Sequence, residues 1–521
     1  MSQNMERPEG RRRQLFSSLL IGLPAVGLIF YHIVYTAGHK LFWFDEALEV
    51  LDSCGESYFS IAGHGAHNQC SPAPLYYLLQ KFIVSHVGIS EGILYSYRTI
   101  SIVSAVLILI VVFFAFSNRI GSAWALVAVM VIINAEFFRF AAENRPYMLW
   151  MFIFAASLMV VSSLAYKPWD ENSLRSKVLL LLLMISLTLV AGPGMLQAFG
   201  FLAVLTVWQG LFDLRAWIRR PVFRFQLPVA ILTGTIGLFY SLKACMADSP
   251  YSGSEWDLLT TGNWRLIFGV LKLLWPLPLA SCTAYTDPCG AATGASDLFV
   301  LVAVVAPFVL WKKRASLSET KKFLLAMSVT SIIQILCAVV IGILVARAHY
   351  YFIPRVFIFL IVLRAGLVVS GGYFFLSFVS EKWGTVFRPS LTKPFGTVVT
   401  VAVVLWFSAS LYLTNRYAAQ AAAVEKGFTW NQEGCPPGKS SLALVDAEAP
   451  SVEYKLNFIV AFDKRLRECG WVSADRPTYY VVPRYSSDDD KTYGYQITDA
   501  IAPESSILGF FHRPLFAQNK R

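Results

Sequence analysis

Long apolar runs recur along this chain, separated by short polar joints, and most approach the ~20 residues that a bilayer core requires of a helix. They lie near 15–35, 99–117, 121–135, 147–165, 178–193, 195–211, 227–245, 297–311, 322–346, 356–379 and 396–414. The pattern predicts a polytopic α-helical membrane protein with about eleven transmembrane helices. The fifth and sixth runs meet at Ala191-Gly192-Pro193-Gly194, which fits either a tight hairpin or one broken helix. The first run exceeds the ~7–15 residues of a signal-peptide core. No small-residue cleavage site follows it before His39 and Lys40, so it reads as an anchor.

Three segments between or after the runs are too long to be connectors. In the first, 36–98, Leu75, Leu78, Leu79, Phe82 and Ile83 follow the i, i+3, i+4, i+7, i+8 stripe of a helix lying in the membrane interface. Pro72 and Pro74 suit its start. The second, 246–296, is rich in aromatics and proline. The third, 415–521, turns polar and alternates: "SLALVD", "TYYVVPRY", "YQITDA" and "SILGFF" read as strands, and Ser451 to Cys469 as an amphipathic helix. The expected organisation is therefore a transmembrane domain over 1–414 and a small external α/β domain over 415–521. The latter carries no P-loop, nucleophile elbow or metal-ligand spacing, so it reads as a positioning module.

Composition agrees with the pattern: 56% of residues are hydrophobic and 15% charged. Mean hydropathy is +0.55, well outside the habit of soluble domains. Charge adds orientation. With Arg11, Arg12 and Arg13 inside, the basic residues of alternate joints fall on the same side, among them Arg119, Lys167, Arg175, Lys177, Arg215, Arg219, Arg220, Arg224, Lys312, Lys313 and Arg314. This arrangement favours the hairpin, puts the amino terminus inside and the carboxyl terminus outside, and accounts for most of the net charge of +11 without nucleic acid. Seven of eight cysteines fall in or beside outside segments; Cys54 with Cys70, Cys282 with Cys289 and Cys435 with Cys469 are the economical disulfide pairings. No Asn-x-Ser/Thr acceptor occurs, which leans toward a bacterial inner membrane.

Candidate chemistry gathers in two outside stretches. In "FWFDEALEVL", Phe42 to Leu51, a helical wheel puts Asp45, Glu49 and Asp52 on one face and Glu46 on a flank. An acidic face gains nothing from anionic lipid and asks for another reason. The second stretch, "NAEFFRFAAENRPYML", crowds Glu136, Arg139, Glu143, Arg145 and Tyr147 into one turn. Plain helix capping and ion pairing explain such residues equally well one at a time. Together they make a polar chamber able to hold a phosphate beside a base. His64 and His67 in "GHGAHNQC" read first as loop residues, and Arg364 within the tenth run must face the protein interior or a cavity.

The order of these features resembles the GT-C class of polyprenyl-phosphate-dependent glycosyltransferases, in particular the bacterial branch related to protein mannosyltransferases and lipid A aminoarabinose transferases. The resemblance rests on the Asp45-Glu46 pair after the first span, "SPAPLYYLLQKF", "SYRTISIVSAV" opening the second span and "AAENRPYML" opening the fourth. It implies a GT-C fold with 1–414 as the catalytic domain, and an inverting transfer of one sugar from a polyprenyl phosphate donor to a lipopolysaccharide, envelope glycan, lipid or protein acceptor on the periplasmic face. Asp45 matches the catalytic carboxylate, Glu46 its supporting neighbour and Glu143 the second acidic position. Arg145 matches the basic position in the turn, with Arg139, Arg347, His349 and Arg355 as further donor-phosphate candidates. Tyr147, His67 and Tyr76 are the expected acceptor or sugar contacts. The match is imperfect: Tyr350 stands where the family's turn before the tenth span has Arg, and Ser71 where the aminoarabinose branch has Lys. No metal ligand is assigned, and acidic residues beside a phosphate are compatible with a divalent metal. A transporter or flippase of a lipid-linked glycan, and an O-antigen ligase or polymerase, are the competing readings.

Overall fold

The computed structural model describes residues 27, 29–38, 46, 57–64, 74–87, 93–208, 219–246, 289–347 and 357–383, and the strand residues 428–430, 441–446, 472–473, 479–485, 493–498 and 506–508. Residues 29–38 are helical. The helices that follow are α1 (Tyr58–His64), α2 (Leu75–Val87), α3 (Ile93–Ile120), α4 (Ser122–Ile132), α5 (Ala135–Ala141) and α6 (Tyr147–Ala165). Next come α7 (Leu174–Val190), α8 (Gly194–Trp208), α9 (Pro221–Met246), α10 (Cys289–Leu310), α11 (Glu319–Arg347) and α12 (Leu360–Trp383).

Local chemistry sets their ends. Asn134 opens α5 by accepting from the Phe137 backbone N–H at 2.9 Å, and Ser173 opens α7 by accepting from Ser176 N–H at 3.2 Å. Pro221 begins α9, where a missing N–H costs nothing. Five helices are long and apolar enough to cross a membrane: Tyr97–Ile120, Tyr147–Ala165, Pro221–Tyr240, Glu319–Leu344 and Leu360–Val379. With the shorter apolar α4 and α8, they make this a membrane protein, and nine of the predicted runs, 99–117 to 356–379, overlap described helices over part or all of their length. The runs at 15–35, apart from its last residues, and 396–414 lie outside the described residues.

The chain divides into two compact units. One comprises residues 1–31, 103–140 and 146–413; the other 32–102, 141–145 and 414–521. In the first, α7 and α8 are separate helices that pack on one another, so the Ala191-Gly192-Pro193 joint is a hairpin. Gly194 is required there, because a Cβ would meet Leu187 O at 1.8 Å. Helix α12 packs on α10, α11 and α4, and Gly371 lets it approach the Phe299 carbonyl of α10, where a Cβ would stand at 1.7 Å. Large apolar side chains remain exposed around these helices, including Leu174, Ile231, Phe308 and Phe378, as expected where the solvent is lipid.

The second unit holds α1, α2 and the strands. β1 (Phe428–Trp430), β2 (Ser441–Asp446), β3 (Val472–Ser473), β4 (Tyr479–Tyr485), β5 (Tyr493–Thr498) and β6 (Ser506–Leu508) form one mixed sheet in the order β1-β5-β4-β2-β3, with β6 also on β2. β4 and β5 pair antiparallel in the register Val481 opposite Ile497, whereas β2 runs parallel to both β4 and β3. Parallel neighbours need a crossover of a dozen residues or more, and the 447–471 stretch supplies that length. The four predicted strands are present; β1 and β3 are additional. The helix expected at 451–469 lies outside the described residues. So do the side chains of every cysteine but Cys337, and with them all three expected disulfide pairings.

Candidate active site

The α2 stripe read from the sequence does not enter the protein core. Leu79 and Phe82 are exposed and Leu75, Leu78 and Ile83 half-buried, while Tyr76, Tyr77 and Gln80 are the buried residues of the helix. The apolar stripe is thus the outward face of the helix, and the more polar face turns inward because it has partners there. Gln80 Nε2 donates to the Tyr97 carbonyl at 3.1 Å, which fastens α2 to the start of α3. Tyr76 Oη donates to Asn144 Oδ1 at 2.7 Å.

Asn144 belongs to a second junction. Its backbone N–H donates to Glu46 Oε1 at 2.6 Å and its Nδ2 to the Glu46 carbonyl at 3.3 Å. Glu46 also receives Arg98 in a fork: Nε to Oε1 and Nη2 to Oε2, each 3.0 Å. The remaining arm of the guanidinium, Nη1, donates to the Ala37 carbonyl at 2.6 Å. Side chains of Arg98 and Glu46 are fully buried. A charge-assisted fork of this kind fixes both partners in angle as well as distance. Ser101, one turn along α3, donates to the Arg145 carbonyl at 3.2 Å, and Arg145 N–H closes a tight turn onto the Glu143 carbonyl at 3.0 Å.

The result is a buried knot in which four separate stretches each contribute one side chain: Glu46 from the Asp-Glu pair, Tyr76 from "SPAPLYYLLQKF", Arg98 from "SYRTISIVSAV" and Asn144 from "AAENRPYML". These stretches are up to 98 residues apart in sequence. The main chain at Glu46 is held to the turn that carries Glu143 and Arg145, whose side chains are both buried. Asp45, bonded directly to Glu46 along the chain, lies outside the described residues, as do His67, His349 and Arg355. Arg347 ends α11, with its side chain outside the described set.

The other expected site residues fall as follows. Arg139 on α5 is exposed, its guanidinium 5.5 Å from the Phe140 ring centroid. Tyr147 is buried at the start of α6 with its ring 5.3 Å from Phe140. Arg98, from "SYRTISIVSAV", is the cation of the knot. Sequence reasoning missed Asn144 altogether, although its place between Glu143 and Arg145 in a quoted motif was the available signal. Among the described residues no group of three His, Cys, Asp or Glu side chains gathers as a metal site.

Chemically, the Glu46 carboxylate is occupied: three hydrogen bonds and a counter-ion reach its two oxygens. It ties its own segment to α3 and to the Glu143–Arg145 turn.

No protein-family profile and no curated protein matches the chain. Solved structures similar to it include two GT-C enzymes. One is the oligosaccharyltransferase AglB of Archaeoglobus fulgidus, in complex with an inhibitory peptide and a dolichol-phosphate: 12% identity over 93% of this chain and 75% of that one, with a TM-score of 0.41. Another is ArnT from Cupriavidus metallidurans, bound to undecaprenyl phosphate: 11% identity over 92% of this chain and 97% of that one, TM-score 0.42.

Proposed function

We propose that the protein is an inverting glycosyltransferase that moves a single sugar from a polyprenyl phosphate to an acceptor at the outer face of a bacterial inner membrane. The observation that carries this reading is the knot: the four stretches on which the sequence resemblance rests converge, one side chain from each, around Glu46. Residues brought together in this way from distant positions share a structural task, and here the task is to hold the Asp45-Glu46 segment against the Glu143 to Arg145 turn.

In this mechanism the acceptor hydroxyl attacks the anomeric carbon from the face opposite the phosphate. Asp45 takes the hydroxyl proton, the new glycosidic bond forms, and the anomeric carbon–oxygen bond breaks with its electrons leaving on the lipid phosphate. One displacement inverts the anomeric centre. Arg145 supports the phosphate as its negative charge grows, in a site whose donors are positioned beforehand. Glu46 fixes the loop, Glu143 shapes the acidic side of the chamber, and Tyr147 lines it. Arg347, His349 and Arg355 supply further positive charge near the donor, and the 415–521 domain positions the acceptor. The distribution of basic joints supports a cytoplasmic amino terminus and a periplasmic carboxyl-terminal domain.

The test is transfer by the purified protein from radiolabelled polyprenyl phosphate sugars, with a membrane extract as acceptor source. Wild type transfers label, and Asp45→Asn loses it by roughly a hundredfold or more, the scale of a general base. Full activity in Asp45→Asn removes the catalytic role of Asp45. No transfer by wild type from any polyprenyl phosphate sugar overturns the glycosyltransferase reading in favour of transport.

A further inference from the structure

The helix ends away from the knot motifs form a basic and aromatic end of the first unit. Arg119 at the end of α3 bonds the Tyr166 hydroxyl after α6, and its carbonyl accepts from Thr320 of α11 at 3.1 Å. Lys321 of α11 pairs with Glu381 near the end of α12, and Trp208, which ends α8, packs edge to face on Trp311 after α10. One corner of this end differs from the rest. Trp169, in the short 3-10 turn Trp169–Glu171, is buried with its ring 5.0 Å from Phe225 of α9. Lys177 Nζ of α7 stands 5.1 Å from the centroid of the same indole. Helices α7 and α9 pack directly on one another around this wedge.

Cations surround the wedge. Arg175 opens α7; Arg219 and Arg220 precede α9 and Arg224 lies on its first turn; Arg175, Arg219 and Arg224 are exposed. Two acids, Asp170 and Glu171, oppose these four arginines and Lys177. Among the described residues, salt bridges engage Arg98, Lys321 and Lys322, and none of these five cations. Positive charge at a cytoplasmic helix end is ordinary topology signal. What that signal does not require is the apolar track that continues from each charge. On α9, Arg224 is followed at i+3 and i+7 by exposed Leu227 and Ile231; on α7, Arg175 is followed at i+3, i+4 and i+7 by exposed Val178, Leu179 and Leu182.

We propose that the α7–α9 wedge is a binding site for one anionic phospholipid. Its phosphate lies among Lys177, Arg220 and Arg224, and its acyl chains run along the apolar tracks. Basic pockets between spanning helices on the cytoplasmic side are suited to such headgroups by charge and by the guanidinium fork. A zwitterionic headgroup would meet the same apolar tracks with no net charge to offer the cations.

The experiment compares thermal unfolding of delipidated wild type in mild detergent with added phosphatidylglycerol or phosphatidylcholine. Phosphatidylglycerol raises Tm by about 5 °C more than phosphatidylcholine, as expected of a ligand well above its Kd, and 0.5 M salt abolishes the difference. Equal shifts with the two lipids overturn the proposal without any variant. Arg220→Gln/Arg224→Gln loses the difference, whereas Lys312→Gln/Lys313→Gln, which removes the same charge from another joint, keeps it. Equal loss in both variants reduces the effect to general surface charge and also overturns the site. Native mass spectrometry of the wild type provides a readout independent of variant folding: one retained anionic lipid supports the site, and none refutes it.

Discussion

Arginine does opposite work in two regions of this chain. Arg98 has no exposure to solvent, every arm of its guanidinium is directed at a fixed oxygen, and its charge is cancelled by Glu46. Arg175, Arg219 and Arg224 stand exposed at helix ends, with no salt bridge among the described residues. Geometry is what the first arrangement yields. Desolvating two charges costs about as much as their attraction returns, so a buried pair is retained for the conformation it specifies more often than for net stability. Responsiveness is what the second yields: exposed charges are screened within about 8–10 Å at ordinary salt and can exchange water for a ligand.

The contrast is broken most severely at Arg98. Arg98→Leu strands the Glu46 carboxylate in a dry site, and unfolding in micelles should show a loss of about 3–5 kcal/mol, with expression falling accordingly. Removing both charges together separates architecture from chemistry. Glu46→Leu/Arg98→Met should recover stability to within about 2 kcal/mol of wild type, because an apolar pair of similar volume avoids the desolvation cost. Transfer should nevertheless stay at least tenfold down in kcat, since the main chain beside Asp45 has lost its fork. Recovery of transfer along with stability would make the pair merely structural.

Asn144 and Tyr76 sharpen the comparison from the neutral side of the knot. Asn144→Ala removes the acceptor of Tyr76 Oη and the donor to the Glu46 carbonyl, while the backbone N–H bond to Glu46 survives. Losing both side-chain bonds of Asn144 should cost about 1–3 kcal/mol. Tyr76→Phe takes the hydroxyl away with the bond and should cost about 1 kcal/mol in the same unfolding assay. If Tyr76→Phe proved the more damaging, the hydroxyl would be acting on something other than Asn144.

Much of this architecture is legible in the sequence because its cause is local. Apolar runs of bilayer length, proline at the start of α9, serine before α7 and glycine at the α7–α8 joint each act within a turn or two of where they stand. The α2 stripe of Leu75, Leu78, Leu79, Phe82 and Ile83 is visible as a period, yet period alone does not say whether lipid or protein takes the apolar face. Here the buried face holds Tyr76 and Gln80, and the reason lies at Asn144 and Tyr97. The knot itself is legible only as an inventory. Its motifs can be picked out in order, but the assignment of Arg98 to Glu46, 52 residues away, is set by how helices meet and not by any spacing. For the same reason a wheel drawn on Phe42 to Leu51 separates Glu46 from Asp45 without revealing that Glu46 is the one tied down. β1 and β3, of three and two residues, are too short to carry an alternation and exist through pairing with β5 and β2.

The smallest expected effect lies on the exposed side. Lys321 Nζ and Glu381 Oε1 are 2.7 Å apart, closer than either Arg98 contact to Glu46, and their side chains are 26% and 69% exposed. Distance taken alone would rank this bridge first. Solvent reverses the ranking, because water stabilises each partner nearly as well when they separate and both long side chains lose rotamer freedom by meeting. Lys321→Gln should therefore change the unfolding free energy by no more than about 0.5 kcal/mol, and raising salt should erase even that. A loss approaching that of Arg98→Leu would mean that the Lys321–Glu381 bridge is shielded from water in the membrane, and the division between fixed and responsive charge would have to be redrawn at that point.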